Sequence, residues 1–143
     1  MHFFQIDNSC FARRIMLYYE LLLIYCLLEA DTDMKVEMHT HTSETSPCAH
    51  ICAQDVIKMY KEAGYDTVVI TDHYSKWVFE KNCAKTPDEV TSHFLKGYKT
   101  ALGCAETYDI NVLLGCEVTL TESPNDYLYY GVNEDFFHTH PFS

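Results

Sequence analysis

Two histidines, His39 and His41, stand two residues apart in the run MKVEMHTH. On an extended strand that spacing sends both imidazoles off one face, where they can converge on a single ion. A second carboxylate and imidazole, Asp72 and His73, follow the apolar run TVVIT, and Glu117 follows Gly115 and Cys116. Imidazole nitrogen and carboxylate oxygen in this mix suit zinc, manganese or iron, and suit calcium or magnesium less well. A lone histidine at a strand end is more often a hydrogen-bonded surface or core residue, so the combination carries the signal rather than any one member. Asp72 admits three roles: binding metal, orienting a ligand histidine from outside, or capping the turn that follows.

The elements around these residues must bring them together. Met34, Val36 and Met38 alternate with Lys35, Glu37 and His39 in strand period. Ser46 and Pro47 read as the cap and first turn of a helix ending at Gly64, with Val56, Ile57 and Tyr60 as its apolar stripe. Thr67 to Thr71 is a continuous β-branched run, as expected of a strand covered on both faces. His73 to Lys85 reads as a loop. Thr86-Pro87-Asp88-Glu89 forms a capping box, and Val90, Phe94, Tyr98, Leu102 and Ala105 continue it at helical spacing. Asn111 to Leu120 is a third strand, Ser123 to Asp126 a turn, and Tyr127 to Val132 a fourth strand; the residues after it start one helical turn and fray. Strands alternating with helices imply a parallel α/β sheet, in which successive strands deliver their carboxyl ends to one crevice.

Composition bounds the function. In 143 residues, 10 basic and 21 acidic side chains give a formal net charge of −11, and 48% of residues are hydrophobic. Such a chain is neither a disordered tail nor a broad binder of nucleic acid, which needs clustered Lys and Arg. The only arginines are Arg13 and Arg14, and the scattered glycines form no phosphate-binding loop. A small anionic substrate would have its charge met locally, as by a metal ion. The 7 cysteines make no regular framework, so free thiols and a cytoplasmic location are expected. Residues 1–33 stand apart as an extension. Their apolar run, Ile15 to Leu28, contains Glu20 and falls short of the roughly 20 residues that cross a bilayer. It reads as an extra apolar helix or an upstream segment, with Met34 as the natural start of the domain at 34–143. The signal-peptide alternative meets a poor cleavage site at Leu28 and Ala30.

His39-Thr40-His41-Thr42-Ser43, the run Val68 to Tyr74 (VVITDHY), and LLGCE ending at Glu117 resemble the polymerase and histidinol phosphatase (PHP) superfamily of metal-dependent phosphoesterases. The resemblance covers about Lys35 to Phe137, with DYLYYG at Asp126 to Gly131 fitting the family's next strand. It implies a distorted (β/α)7 TIM-like barrel, here its first four strands, with divalent ions at the strand ends. His39, His41, His73 and Glu117 fall on ligand positions, and Glu117 would bridge two ions. The implied reaction is hydrolysis of a phosphate ester by a metal-activated water, with Asp72 orienting His73 or handling a proton.

The chain departs from the family pattern in two places. Where members commonly place an Asp or His after the first ligand pair, this chain has Ser46 and Pro47, with Cys48 and His50 just beyond. The plainer account of these two is a buried Cys and a solvent-facing His on a first helical turn. The resemblance also stops after the fourth strand, so the family's later histidines and its Asp-x-His pair have no counterpart, and His138-Thr139-His140 near the terminus repeats only the spacing. Two alternatives to an enzyme acting on a small phosphorylated substrate therefore stand: a catalytically silent metal-binding domain, and an interaction module. Its unpaired sheet edge offers a place for homo-oligomer pairing.

Overall fold

The computed structural model describes residues 33–81, 86–120 and 125–140. The apolar run at 15–28 lies outside them. Among the described residues no helix is long and apolar enough to cross a membrane. None of the four described cysteines, Cys48, Cys52, Cys104 and Cys116, is disulfide-bonded.

The chain runs β1 (Val36–Thr40), α1 (Ala53–Glu62), β2 (Thr67–Ile70), β3 (His73–Tyr74), α2 (Lys76–Lys81), α3 (Pro87–Tyr108), β4 (Asn111–Thr119), β5 (Asp126–Tyr130) and α4 (Glu134–Thr139). β1 pairs parallel with β2, and β2 parallel with β4. β2 and β3 are two pieces of one line along β4: Thr67 lies opposite Asn111, Ile70 opposite Leu114, His73 opposite Glu117 and Tyr74 opposite Val118, with no change of register. The gap between them at Thr71 and Asp72 is bridged by Thr71 N–H donating to Thr40 O at 2.8 Å and Glu117 N–H donating to Asp72 O at 3.1 Å.

β5 returns antiparallel along the other edge of β4. The parallel succession of a barrel therefore stops at β4, and the described residues form an open sheet. That sheet is strongly curled. Tyr130 on β5 donates its hydroxyl to Met38 O on β1 at 2.9 Å. Those strands are three spacings apart in the sheet, about 14 Å if it were flat, which is farther than a tyrosine side chain spans. Tyr130 lies opposite Gly115, where a Cβ would come 3.0 Å from Tyr129 O and from Thr71 Cγ2.

Helices cover the convex face. Ala53 and Ile57 of α1 pack with Val68, Ile70, Val112 and Ala101. Beside the site, Tyr74, Val78, Phe79, Phe94, Leu114 and Phe137 form a second cluster. The Tyr74 ring meets Phe79, Phe94 and Phe137 edge-on at 4.9–5.1 Å between centroids, a geometry worth about 0.5–1.5 kcal/mol per pair beyond burial.

Four expectations differ from the structure, the first being Cys48, which is exposed and precedes the helix rather than being buried on its first turn. α1 begins at Ala53, not at Ser46 and Pro47, because Glu44 takes over the end of the helix: both its carboxylate oxygens accept from Ala53 N–H at 3.0 Å. The stretch from His73 to Lys85 is not simply a loop, since it holds β3 and the six-residue helix α2, whose Val78 and Phe79 are core residues. In α3 the predicted capping box is present, but Leu102 is 44% exposed, and Gly97 and Ala101 occupy the buried line instead.

Candidate metal centre

His39 leaves the end of β1, where one extra residue between Glu37 and Thr40 breaks the register with β2. Such a bulge re-aims the side chains beyond it. His41 follows on the same face. His73 and Glu117 are register partners on neighbouring strands, so their side chains stand side by side on the concave face. The outcome is one cluster. Glu117 Oε2 lies 3.3 Å from His39 Nε2, 3.1 Å from His41 Nε2 and 3.3 Å from His73 Nδ1. His39 Nε2 and His41 Nε2 are 2.8 Å apart, and the His41 and His73 rings stack at 4.6 Å. All four sequence-chosen ligand residues meet here.

Asp72 lies beneath the cluster, 1% exposed. Its Oδ1 accepts from Thr42 N–H at 2.7 Å and from Ser46 Oγ at 2.6 Å, and its Oδ2 accepts from Thr42 Oγ at 2.7 Å. Burial pushes the Asp72 carboxyl up to about 6, against these hydrogen bonds from Ser46 and Thr42. Ser46 is the residue that sequence reasoning misplaced. Its hydroxyl also accepts from His73 N–H at 3.0 Å and stands 3.2 Å from His41 Nδ1. A hydroxyl has one proton, and here it goes to Asp72, so His41 Nδ1 must be the donor to Ser46. That leaves the His41 Nε2 lone pair facing Glu117 and the neighbouring imidazoles. Burial, then the neighbouring His73, lowers the His41 pKa to about 4, keeping the ring neutral at pH 7 as a ligand must be.

The donor set fits a divalent cation. Ligands about 2.0–2.1 Å from a tetrahedral ion stand about 3.3 Å from one another, close to the Glu117–imidazole separations. With its proton on Nδ1, His41 turns an Nε2 lone pair toward Glu117 Oε2 at 3.1 Å with no proton between them, a contact that a cation among the four groups satisfies. Among the described residues, two groups have ligand atoms all within 4.8 Å of one another: His39, His41 and Glu117, and His41, Cys48 and His73. His50 and His140 join neither group. The His140 ring stacks on Phe136 at 4.8 Å.

Clefts open on both sides. One of about 540 Å³ runs from His73 past Lys76, Trp77, Thr119 and Asp126. The other, about 550 Å³, runs from His39, His41 and Cys48 past Ile51, Met59 and Tyr60. A family model described as the PHP domain matches residues 37–138, a span that contains the whole cluster. No curated protein matches the chain.

Proposed function

The chain belongs to the PHP-domain family, and we propose that it is a metal-dependent phosphoesterase that hydrolyses a small phosphorylated substrate at the centre formed by His39, His41, His73 and Glu117. The observation that carries this reading is the convergence of three imidazole nitrogens on one Glu117 oxygen at 3.1–3.3 Å. Zinc, manganese or iron bound there would supply Lewis acidity, activating a water and offsetting phosphoryl charge.

The chain's own residues do the rest. His39 and His41 present ring nitrogens from the edge strand, and Glu117 offers its carboxylate from the centre of the sheet. Asp72 acts as a positioning residue: it fixes the Ser46 proton, Ser46 fixes the His41 tautomer, and the same hydroxyl holds the His73 backbone. In the cleft beside His73, Lys76 supplies a cation and Trp77, 58% exposed, an apolar face. The chain's net charge of −11 favours a small phosphate ester over a nucleic-acid polymer.

A second reading, a metal-binding domain without turnover, draws on β5. Its residues opposite Glu117 and Gly115 are Leu128 and Tyr130, not ligands. The test is hydrolysis of p-nitrophenyl phosphate by the full chain with added zinc or manganese, beside His39→Ala. The enzyme reading expects turnover that falls by about 10²-fold or more in the variant, the scale of losing a direct transition-state contact. Metal bound without His39-dependent hydrolysis would favour the second reading.

A further inference from the structure

Cys48 sits at the tip of a short turn closed by Ala49 N–H donating to Ser46 O at 3.0 Å. Ser46 anchors that turn: its hydroxyl is fixed to Asp72 and accepts from the His73 backbone N–H. The turn therefore holds the thiol at a set position beside His73. Cys48 Sγ and a ring nitrogen each of His41 and His73 lie within 4.8 Å of one another, and Cys48 lines the same cleft as His39 and His41. The nearby alternatives are engaged or remote. Cys52 Sγ donates to Asp55 Oδ2 at 3.3 Å at the start of α1, and His50 joins no ligand group among the described residues.

We propose that Cys48 is a thiolate ligand of this metal centre, on the His73 side, and that it makes the centre select zinc over manganese. The inference rests on the metal-centre reading given above. On binding, the thiol proton is released to solvent and the sulfur donates a lone pair to the ion, with no change of oxidation state. A sulfur donor matters because thiolate favours zinc, whereas manganese prefers carboxylate, carbonyl and water oxygen.

Cobalt(II) is the probe, since it takes zinc's geometry and gives visible ligand-field bands with any ligand set, and a near-ultraviolet sulfur-to-metal charge-transfer band only with thiolate. The full chain loaded with cobalt should show both. Cys48→Ser should keep the visible bands and lose the charge-transfer band, while Cys52→Ser keeps both. In competition, Cys48→Ser should lose at least about tenfold of the preference for zinc over manganese, since removing even an outer-sphere partner costs about 10–100-fold in affinity. Visible bands without a charge-transfer band in the wild-type chain, or a band that survives in Cys48→Ser, would overturn the thiolate and leave the phosphoesterase reading standing. A chain that takes up no cobalt would overturn both.

Discussion

Asp72 is a carboxylate buried at a site that also needs neutral imidazoles, and its cost is measurable. The folded carboxyl, pushed up to about 6 from 3.8, holds its proton more tightly than the unfolded one. Its contribution to stability is therefore fully present below pH 3.8 and is lost as pH rises through 6. Over that interval the metal-free protein should lose about 3 kcal/mol relative to Asp72→Asn, at 1.36 kcal/mol per unit of pKa. Urea unfolding of both proteins from pH 4 to 7 checks this; a stability difference that stays constant or grows in favour of the wild type would refute it. At this scale the members of the cluster were legible, because His-x-His spacing and strand-end acids carry their meaning in residue type. Ser46 was not. A serine beside a proline reads equally as a helix cap, and only the approach of Asp72, 26 residues away in sequence, shows that its hydroxyl is taken.

In α3, two glycines should respond oppositely to one substitution. A Cβ at Gly97 would fall inside contact distance of Thr42 Oγ and 2.5 Å from Asp72 Oδ2, whereas one at Gly103 would meet nothing within 4 Å. Gly97 N–H also donates to Thr45 Oγ at 3.2 Å, docking the 42–46 loop on the helix. Gly103→Ala should stabilise by about 0.5–1 kcal/mol through helix propensity alone. Gly97→Ala should lose that gain and a further 1–3 kcal/mol, roughly, to overpacking, and should weaken metal binding because Thr42 and Asp72 must shift. Denaturant melts and metal titration of the two variants make the comparison; equal stabilisation would show that the loop does not need α3 so close. Thr86→Ala, which removes the capping box, should cost about 1 kcal/mol in the same melts. That box could be read in advance because its signal is local. The drift of the buried line from Leu102 to Gly97 and Ala101 could not, since it depends on the loop that packs against the helix. The start of α1 was equally hidden: Glu44, nine residues before Ala53, caps it.

Across the molecule, the two clusters of packed side chains and the centre are joined through the strand line of β2 and β3. Tyr74, adjacent to His73, is held by Phe79, Phe94 and Phe137. Phe137→Ala should cost about 3–5 kcal/mol, and thermal melts should show it. The parallel start of the sheet was legible from alternating strand and helix patterns. The antiparallel return of β5 follows from a connection too short for a parallel crossover, whereas the curl that lets Tyr130 reach β1 was not legible, because it rests on a contact between strands 92 residues apart in sequence. The central claim is that four side chains from three lines of the sheet hold a divalent ion, and bound zinc per chain tests it most directly. After equilibrium dialysis, the 143-residue chain should retain at least one tightly held ion. Zinc at about 100 times its dissociation constant should then add about 2.7 kcal/mol of stability, and both effects should be lost in Glu117→Gln and sharply weakened in His39→Ala. Zinc uptake that is absent, or undiminished in both variants, would contradict the account.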